Sequence, residues 1–533
     1  MSAEGLPPFS ERRFSEMDTT RFEQWLSKAG LEKKQHQIDG VKFCLKNEMD
    51  YFCPYALTSV LECPHGHFGG GLIADEMGLG KTYVMLGTII SNFLKRTLIV
   101  LPLALVTQWE NIILSTCGHK PLIWHGENKK NISYETLANS PIVLTTYGHI
   151  SSGKNDSENA IYKIQWNRVI FDEAHHLRNA GTSRFIGAKK INADIRWLIT
   201  GTPIQNRFSD FFALCSQMGI KKDFYSDPKN IGFIAKNYML KRTKEEVGIC
   251  LPPVNTHNIY PEWKNHEEKE ISEQVHSLLA FANLRKNVSA SVNSLGGNSG
   301  SILPYLIRAR QTCIYPALLK KPLQKLMEDG FLDMDQALLE GTNFNSKIDS
   351  VVDNCVKRKD NGRGKLIFCH FRGEIDILKD KLSSAGLYVD TFDGRTPKSI
   401  RKEILENKSD VLILQYQTGC EGLNLQQYKE IHFVSPNWNP AVEDQAIARS
   451  HRIGQDSEVD VFRYEMDGFG ISTKNIEKYS RGLQDEKRDI AKDLDKVSPE
   501  THHPNPDNDD DETFVDNDTQ TTIDGATRAV LGI

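Results

Sequence analysis

GLIADEMGLGKT (71–82) is the stretch that decides the fold. An apolar run, GLIAD, leads into a loop that ends Gly80-Lys81-Thr82, and apolar residues at helical spacing follow. Backbone N–H groups of such a loop, with the N-terminus of the helix behind it, cradle phosphate oxygens. Lys81 is placed to neutralise β- and γ-phosphates, and the Thr82 hydroxyl to ligate Mg²⁺. The loop residues Asp75, Glu76, Met77, Gly78, Leu79 and Gly80 are candidate nucleotide contacts with them. The first loop position departs from the general phosphate-loop pattern: it is Asp75, not Gly.

About 90 residues on, RVIFDEAHHLRN (168–179) reads as a second buried strand whose C-terminal end delivers Asp172 and Glu173 together, where α/β sheets bind ligands. In that position Asp172 holds Mg²⁺ and Glu173 polarises the attacking water. RWLITGTPIQN (196–206) sets Thr200, Gly201 and Thr202 on a tight turn, suited to sensing the γ-phosphate through Glu173. In WNPAVEDQAIARSHRIGQ (438–455), Arg449 and Arg452 are three apart and share one face if both are helical. Two guanidiniums delivered from elsewhere in the chain suit an arginine-finger role; alone, such a pair is more simply a solvated basic face.

Other short apolar runs repeat the grammar of strand, turn and helix. TLIVLP (97–102) and PIVLTTY (141–147) join the first set, and KLIFCHF (365–371), DVLILQYQTG (410–419), KEIHFVSP (429–436) and DVFRY (460–464) form a second. Such runs predict α/β architecture, two parallel sheets each covered on both faces. Residues 207–340 show helical periodicity without clear strands and are expected to form a helical connector, with a flexible loop at SVNSLGGNSGS (291–301).

The chain has 533 residues, 39% hydrophobic and 25% charged, as expected of a globular protein of three or four compact units. No apolar run is long enough to span a bilayer, and the polar start MSAEGLPPFSERRF lacks a secretory core. The ten scattered cysteines read as reduced thiols. These features predict an intracellular protein with no membrane partner. From Glu500 onward nine acidic residues face one arginine, a charge of −8, so the net −5 leaves the remainder at +3. A near-neutral body is compatible with a basic cleft for nucleic-acid phosphates and does not demand one. The acidic tail is expected to be disordered; capture of histones or other basic proteins competes with the plainer role of a solubilising end. Cys53, Cys63, His65 and His67 could supply four zinc ligands, but their spacing is too tight for a usual structural site, and a surface insertion is the better reading.

The ordered set QHQIDGVKF, GLIADEMGLGKT, IVLPLALVTQWE, VLTTYGHI, IFDEAHHLRN, LITGTPIQN, MLKRTKEEV…LPP, LIRARQTCIYPALL, KLIFCHF, TGCEGLNL and WNPAVEDQAIARSHRIGQ resembles the Swi/Snf-type ATPases of helicase superfamily two over roughly residues 30–465. Its wording is most similar to the group of the helicase-like transcription factor and transcription termination factor ATPases. The resemblance implies two RecA-like lobes that close on ATP and Mg²⁺ while gripping duplex DNA by its backbone, stepping along it without separating the strands. It implies adenine recognition by Gln37, nucleotide and metal contacts by Lys81 and Thr82, a DEAH box at Asp172, Glu173, Ala174 and His175, and a last motif of Gln445, Arg449 and Arg452. The domains expected are an N-terminal arm (1–22), a first RecA-like lobe (23–206), the helical connector (207–340), a second lobe (341–497) and the acidic tail (498–533).

Several positions depart from the pattern. Ser435 and Asn437 stand in SPNWNP where an aspartate and often a tryptophan are usual, Cys420 replaces a glycine, and Tyr315 a histidine. The Cys/His RING finger of many close relatives has no counterpart between the lobes, and the flanks are too short for a bromodomain or chromodomain. The function expected is ATP-dependent translocation on double-stranded DNA to remodel or displace bound proteins, in chromatin, repair or transcription. A strand-separating helicase of the same superfamily is the alternative enzyme, and a non-catalytic ATP-binding scaffold the alternative of another class. The location implied is a eukaryotic nucleus, or the nucleus or cytoplasm of an infected host.

Overall fold

The computed structural model describes residues 19–52, 69–153, 156–205, 207–277, 303–328, 344–416, 423–469 and 475–495, with a few single positions between them. The expected loop at 291–301, the acidic tail from 498, Cys420 and the Cys53–His67 cluster lie outside the described residues. The chain divides between Cys250 and Leu251 into two compact units.

The first unit is built on seven strands: β1 (Gly69–Ile73), β2 (Thr97–Leu101), β3 (Leu122–Trp124), β4 (Ile142–Thr146), β5 (Trp166–Asp172), β6 (Ala193–Ile199) and β7 (Met239–Leu240). They lie in the order β3-β4-β2-β5-β6-β1-β7, and every pairing is parallel. β1, β2 and β4 are buried along their whole length, which explains why they are continuous apolar runs rather than alternating ones. Successive side chains enter opposite cores: Leu98, Val100, Val169 and Phe171 face one, and Ile99, Leu101, Ile170 and Trp197 the other. The second core is covered by α1 (Thr20–Lys28), α2 (Gln35–Phe52), α3 (Lys81–Ser91) and α4 (Val106–Cys117). The first is covered in part by α5 (Phe208–Met218) and α6 (Pro228–Tyr238).

The second unit holds β8 (Val254–Ile259), β9 (Gly364–Cys369), β10 (Val389–Phe392), β11 (Val411–Gln415), β12 (Tyr428–Phe433) and β13 (Val459–Tyr464), all parallel, in the order β10-β11-β9-β12-β13-β8. Its helices include α7 (His266–Ser277), α8 (Leu303–Ile314), α9 (Ser346–Lys357), α10 (Arg372–Ser384), α11 (Pro440–Ser450) and α12 (Ile476–Asp495). Each unit is thus a RecA-like lobe, as the alternation of strands and helices predicts.

The connector expected over 207–340 is not a strandless region. β7 pairs with β1 in the first sheet and β8 with β13 in the second, so this span is shared between the units. Phe211, Leu214, Ile231 and Ile234 bury into the first unit's core, which extends that unit well beyond residue 206. The reason for the miss is physical: β7 has two residues, and β8 (VNTHNI) is an edge strand whose middle residues are exposed, so neither shows an apolar run. The arm expected over 1–22 likewise ends early, because α1 begins at Thr20 and Phe22 is fully buried against the first sheet's second core. β3 and β10 are further short strands, of three and four residues, too short for a strand period to show.

Candidate functional site

In the first unit the loop after β1 turns through Gly78 and Gly80, both with positive φ (93° and 84°), and α3 starts at Lys81. Gly80 suits its left-handed φ, and its bare Cα lets the Gln37 amide come close, since a Cβ there would lie 2.3 Å from Gln37 Nε2. Gln37, on the first turn of α2, donates from Nε2 to the Leu79 carbonyl at 3.2 Å, which sets the predicted adenine reader directly against the loop. Lys81 Nζ donates to the Asp75 carbonyl at 2.7 Å and the Glu76 carbonyl at 3.3 Å.

β5 ends at Asp172. The Trp109 indole N–H donates to Asp172 Oδ2 at 2.7 Å, the Glu173 N–H to Oδ1 at 2.9 Å, and the Tyr147 hydroxyl to the Asp172 carbonyl at 2.7 Å. Burial and the neighbouring Glu173 charge push the Asp172 carboxyl up to about 6, against the pull of the Trp109 bond. A carboxylate so disfavoured in its charged form gains from a nearby cation. Glu173 is the one non-glycine residue among those described with a positive φ (50°). That geometry costs on the order of 1–2 kcal/mol, held by the structure on either side.

Glu173 Oε2 lies 3.3 Å from His175 Nδ1, and His175 Nδ1 lies 3.4 Å from Thr200 Oγ1. The Thr202 N–H donates to Thr200 Oγ1 at 3.2 Å, and Gln205 Nε2 donates to Thr202 Oγ1 at 3.0 Å. Arg178 donates in turn to Gln205 Oε1. His175 Nδ1 therefore stands between Glu173 and the Thr200–Thr202 turn, within 3.4 Å of each. Gly201 sits against the loop as well, since a Cβ there would meet Met77 at 3.0 Å and Lys81 Nζ at 3.4 Å. All the predicted first-unit residues converge at the C-terminal edge of one sheet. Their donor set — an ammonium, a hydroxyl and a buried carboxylate beside a glycine turn — fits a magnesium-bound triphosphate.

Sequence reasoning gave no role to Trp109, Tyr147, Arg178, Gln205, Arg242 or Lys244. The fragments VTQWE, VLTTY, HHLRN, TGTPIQN and MLKRTK carry them, but nothing local marks those side chains as partners of Asp172, Asp75, Glu76 or the Thr200–Thr202 turn. Arg242 forks onto the Asp75 carboxylate (Nε 3.0 Å, Nη2 2.5 Å), and Lys244 Nζ reaches Glu76 Oε1 at 2.7 Å. The acidic start of the loop thereby has cationic partners of its own.

In the second unit Gln445 is buried on α11 and Arg449 lies in its last turn. Arg452 is not on that helix, which ends at Ser450, so the two arginines do not share a helical face as expected. The helix stops where His451 Nε2 meets the Pro252 carbonyl at 2.7 Å, and Gly454 (φ 94°) turns the chain. Four side chains of α12 hold the entry to α11. Gln484 Nε2 bonds Glu443 Oε1 (2.7 Å) and the Asn437 carbonyl (2.5 Å), Lys487 bonds the Trp438 carbonyl (2.9 Å), Arg488 meets Asp444 and Arg481 meets Glu443. Burial alone would raise the Glu443 carboxyl, but Arg481, Arg463 and amide donors hold it below the usual range. Asn437 fills its departure from the pattern by an Asx turn, its Oδ1 accepting from the Asn439 N–H at 3.0 Å.

The family profile described as SNF2-related domain matches residues 36–318, more than half of the chain. The chain belongs to the SNF2-related family. Residues 346–454 of this SNF2-related chain also match the helicase conserved C-terminal domain. It is 27% identical over 455 residues to a probable global transactivator of Orgyia pseudotsugata multicapsid polyhedrosis virus, covering 80% of this chain and 86% of that protein. It is 27% identical to an uncharacterized ATP-dependent helicase of Mycoplasma genitalium, covering 79% of this chain and 40% of that one. It is also 27% identical to the Bos taurus DNA excision repair protein ERCC-6-like, covering 74% of this chain and 38% of that one. The SNF2-related chain thus spans most of the viral relative and less than half of the other two. It is an enzyme, an ATP-dependent helicase- or translocase-type ATPase, and the family implies the use of ATP. No helix among the described residues is long and apolar enough to cross a membrane.

Proposed function

We propose that this SNF2-related ATPase moves along double-stranded DNA and displaces or repositions the proteins bound to it. The observation that supports this most is the placement of His175, its Nδ1 3.3 Å from Glu173 Oε2 and 3.4 Å from Thr200 Oγ1, on the sheet edge that also carries Lys81. A hydrolytic carboxylate set beside a second motif through a shared histidine is what a motor needs and a passive nucleotide binder does not. Gln37 reads adenine, Lys81 neutralises the β- and γ-phosphates, and Thr82 with Asp172 holds Mg²⁺. When bound, the metal polarises the phosphoryl oxygens and offsets their charge. Glu173 orients water for attack and accepts its proton. Thr200, Gly201 and Thr202 register the γ-phosphate through His175. Gln445, Arg449 and Arg452 of the second lobe are the groups suited to stabilising charge on a transferring phosphoryl group. DNA is held chiefly by its phosphates, which gives weak sequence preference and strong salt dependence.

Phosphate release measured with duplex DNA, single-stranded DNA and single-stranded RNA tests this reading. Duplex DNA is expected to raise turnover about tenfold or more and to support displacement of a triplex-forming strand. Equal stimulation by RNA would overturn the DNA assignment. Separation of a labelled duplex would replace the translocase by a strand-separating helicase.

A further inference from the structure

Arg242 touches two segments of the first unit, the loop after β1 and the start of α2. Its Nε and Nη2 fork onto the Asp75 carboxylate at 3.0 and 2.5 Å, at the start of the phosphate-loop segment. Its Nη1 donates to the His36 carbonyl at 2.6 Å, one residue before Gln37. Gly40, one turn along α2, leaves the passage open: a Cβ there would come within 3.2 Å of Arg242 Nη2. The backbone is tied as well, because Ala74 and Glu76 donate to the Leu240 and Arg242 carbonyls at 2.7 and 2.9 Å. The start of α2 also meets the loop directly, with His36 and Gln37 both on the Leu79 carbonyl. One planar guanidinium therefore spans from the loop that holds Lys81 to the turn that carries Gln37.

We propose that Arg242 is a positioning residue for nucleotide selection, fixing Gln37 at the distance from the phosphate loop at which adenine and triphosphate are contacted together. This rests on the reading of Gln37 and the loop as the ATP site. Asp75 is buried and needs a cation, but neutralising it does not require the bond to His36. A lysine at 242 keeps the charge and lacks the fork that reaches both partners. Charge and geometry are thereby separable in one experiment.

Steady-state hydrolysis of ATP and GTP with saturating duplex DNA, with binding of fluorescent ATP and GTP analogues, is measured for the full chain, Arg242→Lys, Arg242→Ala and the surface control Lys33→Ala. For Arg242→Lys the ATP KM is expected to rise about tenfold with kcat within about threefold, and the preference for ATP over GTP in kcat/KM to fall about tenfold. Arg242→Ala shows the same loss or a larger one, and Lys33→Ala neither. If Arg242→Ala does not fold, Arg242→Lys alone decides. An Arg242→Lys protein with wild-type KM and wild-type nucleotide preference overturns the proposal, as does a fall in kcat with both unchanged. If the wild-type chain hydrolyses no ATP, the proposed function fails while the binding arm still reads Arg242: a tenfold weaker, less selective ATP analogue supports it, and unaltered binding overturns it.

Discussion

The two lobes are built alike, yet they put their ionisable groups to different uses. In the first, the shifted acid Asp172 and the left-handed Glu173 stand at the C-terminal edge of the sheet, beside the phosphate loop. In the second, many of the buried ionisable groups tie packed elements to one another. His432 sits fully buried between stacked Phe462 and Tyr464, with its Nδ1 3.0 Å from the Tyr464 hydroxyl. Lys365 lies 3.5 Å from Glu430, and Lys347 on α9 pairs with Glu477 on α12. Burial, with Lys365 and Arg358 nearby, pushes His432 down to about 3, and burial pushes His276 down to about 4, so both are neutral at physiological pH. The first lobe keeps its frustration where a ligand can relieve it. The second spends its polar interior on holding α11 and its neighbours in place.

The sharpest way to break this contrast is Glu173→Gln. DNA-stimulated turnover is expected to fall by about 10³, with ATP binding retained, in a single-turnover phosphate assay with a parallel binding titration. Turnover near the wild-type value would remove the first lobe's edge from the chemistry.

The next test compares the lobes on equal terms. Arg168 in the first is fully buried on Glu48, as Lys347 in the second is on Glu477. Breaking either pair by Arg168→Ala or Lys347→Ala leaves a carboxylate buried without its cation and is expected to cost about 3–5 kcal/mol in denaturant unfolding. A loss below about 1 kcal/mol in the Lys347 variant would mean that the second lobe's polar interior is not what holds α12 to α9.

His432 gives the pH dependence. Its folded pKa lies below the unfolded value, so the unfolded chain binds the extra proton as pH falls below about 6.5 and stability is lost. His432→Gln removes that contribution. Between pH 6.5 and 5 the wild type is expected to lose about 2 kcal/mol more than the variant, at ~1.4 kcal/mol per pH unit. Parallel stability curves across that range would show that this histidine is not buried as described.

The smallest effect is expected of Thr200→Val, which removes the hydroxyl between His175 and the Thr202 N–H. The stimulation of hydrolysis by duplex DNA should fall about threefold to tenfold, the range of one or two hydrogen bonds. An unchanged stimulation ratio would place the link between Glu173 and the turn outside the coupling.

Much of the site was legible because its chemistry is local. A strand, a glycine turn and a lysine at the head of a helix are consecutive in sequence, and so are Asp172 and Glu173. Arg242 and Trp109 carried no such mark, since their carboxylate partners lie 167 and 63 residues away. Arg452 was misplaced for a related reason. QAIARSHR carries no helix breaker at Ser450, and the helix ends where His451 meets Pro252 ahead of the turn at Gly454. The strands β7 and β8 escaped notice because an edge position asks for few apolar residues.

Two α/β lobes, the places of the phosphate loop and the acidic pair, and the family to which the chain belongs can all be read from the order of residues. Each depends on residues adjacent in the chain or on the period of a buried strand, and these leave their pattern in the order of the letters. Packing in three dimensions sets which cation holds each loop carboxylate, which donors hold Asp172, where α11 stops, and that residues 207–340 are divided between two sheets. Those outcomes are set by side chains that meet only after the strands pair and the helices pack, because a hydrogen bond acts over about 3 Å of space whatever the separation along the chain.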